Sequence, residues 1–392
     1  MKKTILINSF ACSPHWGSEI GMGYNWIKLL SQNYNLHVMT EESWKKYHND
    51  DKNVTFHYIK MSSRGLKKFW KGNSLEFYFH YNIWQRKALV KAQEIINTNK
   101  IDAIHQLNMI GFRELGYLWK IKNLPYIVGP IGGIDNFPKN YNNIFLKNFK
   151  YRFKTFLKNK INNLQFNYNT RLVNIGKRSS SIIAVTKYGQ NLLEKKLKRK
   201  ILHLPETGVH YNNEYSINES SRDIDVIWVG RMEDRKALPI LSEALRNFKK
   251  SLKVVVIGDG DMSDVWLNDL FRKNEKHEII FHKLLKNDKV QHLMSRSKIL
   301  AFTSLREGTP HVISEGFANG CQIISHKISG IPNLCNNQNS FLVEPLGFNH
   351  SVDSFVKNID EILSNNKSKP KSFLTWDNLR DRMFEIYRYN GI

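Results

Sequence analysis

The chain has 392 residues, more than one ordinary domain needs and enough for two, with 41% hydrophobic, 24% charged and 12% aromatic residues. No apolar run reaches the about 18 residues of a membrane-spanning helix, so such a helix is excluded. The net charge of +24 is uneven: residues 1–200 carry 34 Lys and Arg against 11 Asp and Glu, whereas residues 201–392 carry 25 against 24. The first half is therefore expected to face something anionic.

In chain order, the start resembles a lipoprotein signal, but its apolar segment is short and broken by Asn8 and Ser9. A first buried strand over residues 4–10 is the better reading. Further short β-rich segments follow at 36–40, 54–60, 101–107, 125–129 and 181–186, separated by amphipathic stretches such as 21–32 and 75–99. The second half repeats the scheme, with strands expected at 226–230, 253–258, 278–282, 299–303, 322–325 and 340–343. A helix is expected over 237–249, with Leu238, Leu241, Leu245 and Phe248 on one stripe. Alternation of this kind predicts two α/β, doubly wound Rossmann-like domains. Pro205 and Gly208 punctuate the pattern, which places the domains at 1–205 and 206–374. Ligands in such sheets bind at the carboxyl ends of the strands, and two such ends facing each other would hold two substrates.

Three stretches of the second half carry chemistry. Val229 and Gly230 end a strand, and Arg231 and Lys236 follow at the start of a helix. Two cations beside unpaired N–H groups make a diphosphate seat, although an ordinary loop with solvated basic residues has the same appearance. Gly258, Asp259 and Gly260 form a second strand-end turn that lacks the third glycine of a dinucleotide fingerprint; Asp259 and Asp261 are read as turn residues, not metal ligands. Glu307 and Glu315 then flank Gly308, Thr309, Pro310 and His311, with Thr309 the expected N-cap and Pro310 the first helical residue. A nucleotide sugar laid across that helix end would offer sugar hydroxyls to Glu307, ribose hydroxyls to Glu315 and phosphates to Arg231 and Lys236.

These residues resemble the nucleotide-sugar domain of family-4 retaining glycosyltransferases of the GT-B fold. Glu307 and Glu315 match the family's two spaced glutamates, Arg231 and Lys236 its phosphate-binding pair, and Gly330-Ile331-Pro332 the turn that follows. The likeness extends to the front half, where the loop from Ala11 through Gly17 to Glu19 resembles the glycine loop that lies over the donor diphosphate. Gly129, Pro130, Ile131, Gly132 and Gly133 resemble a loop of a bacterial subgroup. The resemblance implies transfer with retention from a UDP- or GDP-linked sugar, with no cofactor and no metal. Arg231, Lys236 and helix N–H groups would stabilise the leaving diphosphate in place of a cation. It also implies that a C-terminal helix, 375–392, crosses back to the first domain. Many members carry a histidine in the loop matching 129–133, and this chain has none there. His105 either takes that place on the acceptor side, beside Glu19, Gly132 and Gly133, or is a packed polar residue.

In the basic half, residues 145–158 read as an amphipathic helix with Phe145, Phe149, Phe153, Phe156 and Leu157 on one stripe and Lys147, Lys150, Lys154 and Lys158 on another. The cluster at 64–71 has the same mixture. Two such segments predict contact with an anionic membrane surface, hence a lipid-linked glycan acceptor and a cytoplasmic, peripheral location at the inner face of the membrane. Cys12, Cys321 and Cys335 lack metal-ligand spacing and suit buried, inert thiols. A non-catalytic polyanion-binding protein and a GT-B nucleotide-sugar epimerase are the competing readings. No recognition helix or zinc motif is legible, so nucleic acid is not an expected partner.

Overall fold

The computed structural model describes residues 2–15, 18–70, 75–141, 149–210, 222–335, 340–365 and 373–392. Gly17, Lys71, Phe145 and Lys147 lie outside the described residues, as do the side chains of Phe149, Lys150 and Lys154. The strands are β1 (Thr4–Ser9), β2 (Asn35–Glu41), β3 (Val54–Ile59), β4 (Ala103–Asn108), β5 (Tyr126–Ile131), β6 (Ser181–Ala184), β7 (Leu202–His203), β8 (Ile224–Val229), β9 (Lys253–Ile257), β10 (Glu278–His282), β11 (Ser297–Phe302), β12 (Gln322–His326) and β13 (Ser340–Val343). The helices are α1 (Ser18–Leu30), α2 (Ser63–Trp70), α3 (Leu75–Thr98), α4 (Phe149–Asn167), α5 (Thr170–Arg178), α6 (Lys187–Leu197), α7 (Leu238–Asn247), α8 (Ser263–Lys273), α9 (Asn287–Ser295), α10 (His311–Ala318), α11 (Ile331–Leu334), α12 (Phe348–Ser364) and α13 (Trp376–Tyr389).

The strands form two wholly parallel sheets, ordered β3-β2-β1-β4-β5-β6-β7 and β10-β9-β8-β11-β12-β13. Each order reverses direction once, between β1 and β4 and between β8 and β11. Ligands of open α/β sheets bind at such switch points. Every residue of the central strands β4 and β5 is buried, including the polar His105, Gln106 and Asn108 of β4.

The chain divides into two compact units, one of residues 1–134, 163–206 and 376–392, the other of 135–162 and 207–375. Residues 135–162, expected with the first domain, pack with the second. Phe137 and Tyr141 join its core, and the Tyr141 hydroxyl meets Ser351 Oγ at 2.6 Å. Gly129, Pro130, Gly132, Gly133 and Pro138 punctuate the chain at that passage, but only tertiary burial shows that the segment changes unit. In the first unit, α13 buries Trp376 edge-on against Trp26 and Tyr387 edge-on against Tyr34.

Candidate functional site

The switch point of the second sheet gathers charged residues. β8 ends in Gly230, whose N–H donates to Ile257 O at 3.0 Å. Gly258 passes so close that a Cβ there would lie 1.9 Å from Gly230 O, which explains the glycine in that turn. Asp259 accepts from Gly260 N at 2.9 Å and from Ser263 Oγ at 3.1 Å, so it shapes the turn. The loop after β11 is laced to the tight turn Asp234–Lys236: Leu305 N donates to Arg235 O at 2.7 Å, and Thr303 Oγ1 donates to Lys236 O at 2.6 Å.

That lacing brings Glu307 against two cations. Its Oε1 accepts from Arg235 and from Lys236, each at 2.6 Å, and from Ser304 Oγ at 2.5 Å. Arg235 also pairs with Glu233 at 2.7 Å, and Lys236 Nζ lies 4.9 Å from the centre of the Phe302 ring. Burial pushes the Glu307 carboxyl upward, but Lys236 and Arg235 more than offset it, so its pKa lies below the ordinary value. For Lys236 burial wins and lowers the ammonium pKa despite Glu307. Arg231, expected beside Lys236, is exposed and makes no ion pair among the described residues. Arg235, which sequence reasoning passed over, takes part in the cluster; its adjacency to Lys236 was the available signal.

Glu315 is held differently. α10 starts at His311 with Pro310, not Thr309, as its N-cap and no side-chain cap bond, because the buried Thr309 lies one residue too early to cap. Glu315 Oε1 accepts from Gln291 at 2.8 Å and Asn287 at 3.1 Å, both on one face of α9, and faces His311 Nδ1 at 3.4 Å. His311 Nε2 donates to Gly208 O at 2.8 Å. Glu307 and Glu315 thus bracket one βα loop, and no hydrogen bond among the described residues joins them. Ser329, at φ 49°, opens the turn to Gly330 and hydrogen-bonds Asp135, a carboxyl that burial pushes up to about 6.

In the first unit the loop after β4 organises the expected acceptor side. Ile110 N donates to Glu19 Oε1, and Asn108 Nδ2 donates to Glu19 O at 2.9 Å. Gly132 N donates to Ile110 O at 2.8 Å and Phe112 N to Gly132 O at 3.1 Å, while Gly133 turns at φ 73°. Although part of Glu19 is reachable by solvent, its carboxyl is enclosed. Burial and the neighbouring Glu114 push its pKa up to about 8. Glu114 is buried and raised in the same sense, and accepts from the Tyr78 hydroxyl at 2.9 Å. His105 does not belong here. It is fully buried in β4, donating from Nε2 to Gly129 O at 2.7 Å and accepting at Nδ1 from the Tyr387 hydroxyl at 2.6 Å. Burial lowers its pKa to about 4, and it is a core residue, not a lining one. Cys12 and Cys321 are buried and Cys335 is half-buried.

Two Rossmann-like units of parallel strands and interleaved helices make up the GT-B fold. Over that fold the chain is similar to sucrose-phosphate synthase from Thermosynechococcus elongatus (TM-score 0.65, 12% identity, 99% of each chain). It is also similar to HepE from Anabaena, solved in complex with UDP (TM-score 0.61, 13% identity, 99% of this chain and 100% of that one). Residues 212–373 match the family described as glycosyl transferases group 1. A curated relative, an uncharacterized glycosyltransferase of Methanocaldococcus jannaschii, is 23% identical over 177 residues, which span 42% of this chain and 44% of that protein. The solved neighbours share the GT-B fold, and the family match, over less than half of the chain, is to glycosyl transferases.

Proposed function

We propose that the protein transfers a sugar from a nucleotide sugar to a lipid-linked glycan, with retention of configuration and without a metal, at the inner face of a membrane. The Glu307–Lys236–Arg235 cluster at the β8/β11 switch point carries this reading. A donor diphosphate competes with Glu307 for Lys236, drawing additional charge from Arg231 and Arg235, and releases the carboxylate to accept sugar hydroxyls. Fixed cations then oppose the charge that builds on the leaving diphosphate, which is where electrostatic catalysis acts. Glu315, set among neutral amides, is available to ribose hydroxyls. The structure of HepE with UDP supports a uridine nucleotide as the first donor to test.

The membrane partner is supported by α4. Its inner face is polar over most of its described length and ends on the buried Phe166: Asn159 bonds both the N–H and the C=O of Phe137, at 3.1 and 2.8 Å, and Asn162 Nδ2 donates to Asn136 Oδ1 at 2.9 Å. Its outer face carries exposed Phe153, Phe156, Leu157, Ile161 and Leu164. An apolar face turned outward beside lysines suits a bilayer interface. No described helix is long and apolar enough to cross a membrane.

The test is transfer and binding with UDP-sugars. Glu307→Gln should cut transfer by about 100-fold or more. It should also lower stability by roughly 3 kcal/mol, because the enclosed Lys236 loses its counter-charge while Arg235 keeps Glu233. Glu315→Gln, still able to accept from Asn287 and Gln291, should leave stability nearly unchanged while weakening UDP binding. Wild-type transfer in chelator and the anomeric configuration of the product check the metal and the stereochemistry. Full transfer by Glu307→Gln would overturn the reading. One observation favours epimerisation instead: Glu19 and Glu114 supply a pair of enclosed carboxyl groups in the first unit. A change of sugar configuration in a UDP-sugar incubated without acceptor would select that alternative.

A further inference from the structure

The first unit holds a cavity of about 450 Å³ that neither Glu19 nor Gly132 lines, walled by Leu75, Tyr78, Asn82, Arg113, Tyr168, Arg171 and their neighbours. Its wall contains two arginines and no carboxylate. Glu114 is buried and accepts from the hydroxyl of the lining Tyr78. Arg171 is fixed in place: it donates to Leu115 O at 2.8 Å, to Asn82 Oδ1 at 2.9 Å and to the Tyr117 hydroxyl at 2.8 Å, and lies 4.3 Å from the centre of the Tyr117 ring. Arg113 donates to Gln165 and lies 4.3 Å from the centre of the Phe112 ring. Stacked, preorganised guanidinium groups lose little freedom on binding, and their fork matches phosphate oxygens.

The rim has the opposite character. Leu75 and Tyr168 line the cavity and are 85% and 79% exposed. From Leu75 the apolar surface continues along α3 through Phe79 and Ile83, which are 64% and 40% exposed. These three residues recur at every fourth position, so they form a strip one side chain wide on one helix face. Apolar surface of that kind, leading out of a cationic cavity, matches an amphiphile with a phosphate head and one hydrocarbon chain.

We propose that this cavity receives the phosphate end of a single-chain lipid phosphate or diphosphate, with the chain lying on Leu75, Phe79 and Ile83. The inference rests on the proposed function and specifies its acceptor: the lipid carrier is gripped through its phosphate, independently of the sugar it bears. Charge complementarity and the width of the strip favour such a carrier over a two-chain membrane phospholipid.

Calorimetric titration of the full chain with farnesyl diphosphate, farnesol and inorganic diphosphate tests this. Farnesyl diphosphate should bind at least about tenfold more tightly than either fragment, since head and chain act together. Arg113→Gln should weaken farnesyl diphosphate and inorganic diphosphate alike by about tenfold. Phe79→Ser, an exposed change that the fold tolerates, should weaken farnesyl diphosphate only. Farnesol binding as tightly as the diphosphate, or both variants binding as the wild type does, would overturn the proposal. So would displacement of farnesyl diphosphate by phosphatidylglycerol vesicles, which would make the cavity a bilayer contact. UDP-glucose titrated into the same samples separates the two readings. Nucleotide-sugar binding without farnesyl diphosphate binding removes this inference alone, and the reverse removes the proposed donor chemistry.

Discussion

Glu307 and Glu19 are both carboxyl groups withdrawn from water, and their surroundings drive them in opposite directions. Glu307 meets Lys236 and Arg235, whereas Glu19 meets a backbone N–H and the like charge of Glu114. A carboxyl whose folded pKa is raised holds its proton in the native state after the unfolded chain has lost it. Its contribution to stability is therefore full below the unfolded value of about 4.5 and falls as pH rises toward about 8. Glu307, lowered, contributes in the opposite sense, with stability lost as pH falls through its folded value. Glu19→Gln should accordingly flatten the decline of the unfolding midpoint between pH 5 and 8, and at pH 8 the variant should be the more stable protein. Thermal unfolding across that interval measures it, and a wild-type midpoint that does not fall relative to the variant would remove Glu19 as an enclosed, protonated acid. Neither environment was legible from residue type. The spacing of Glu307 and Glu315 drew attention to them, but the neighbours that distinguish them, Arg235 on one side and Asn287 and Gln291 on the other, come from loops and helices that only the folded sheet brings near.

At the scale of elements, buried parallel strands were the most readable part of the sequence, because helices on both faces make them continuous apolar runs bounded by glycine or proline. β8 to β13 fall within a few residues of where their composition puts them. β7 was missed: two residues at a sheet edge carry no periodic signal. α4 is the more instructive case. Of its expected phenylalanine and leucine stripe, Phe153, Phe156 and Leu157 do share one face, but composition alone left open which face turns inward. The answer lies in Asn159 and Asn162, whose amides reach the backbone and side chain of residues 136–137 and dock the helix through its polar side. Replacing Phe153, Leu157 and Ile161 together by serine should leave the unfolding midpoint within a degree or two, since little burial is lost, and should abolish co-sedimentation with anionic vesicles. Asn159→Ala should do the reverse, costing about 1–2 kcal/mol by removing the amide that bonds the N–H and the C=O of Phe137 while vesicle binding persists. Retained vesicle binding by the triple variant would move the membrane contact elsewhere.

Over the whole molecule, chain order and spatial grouping part company twice. Residues 135–162 leave the first stretch to join the second unit, and Trp376–Ile392 return from the far end to complete the first. The return is anchored by aromatic packing and by one polar contact deep in the sheet. The Tyr387 hydroxyl donates to His105 Nδ1, whose other nitrogen is already committed to Gly129 O. A histidine thus stands in a central strand for a structural reason, as the point to which the terminal helix is fastened. Tyr387→Phe removes the donor and keeps the ring, so Nδ1 is left enclosed with no partner. The expected loss is about 1–3 kcal/mol for an unsatisfied buried acceptor. His105→Phe combined with Tyr387→Phe should recover part of it, because the enclosed Nδ1 is then removed with its donor, although Gly129 O loses the Nε2 donor. Denaturant unfolding of the two single variants and the double variant closes the cycle. Additive losses would mean that His105 and Tyr387 do not depend on each other and that α13 is held by Trp376 and its apolar neighbours alone.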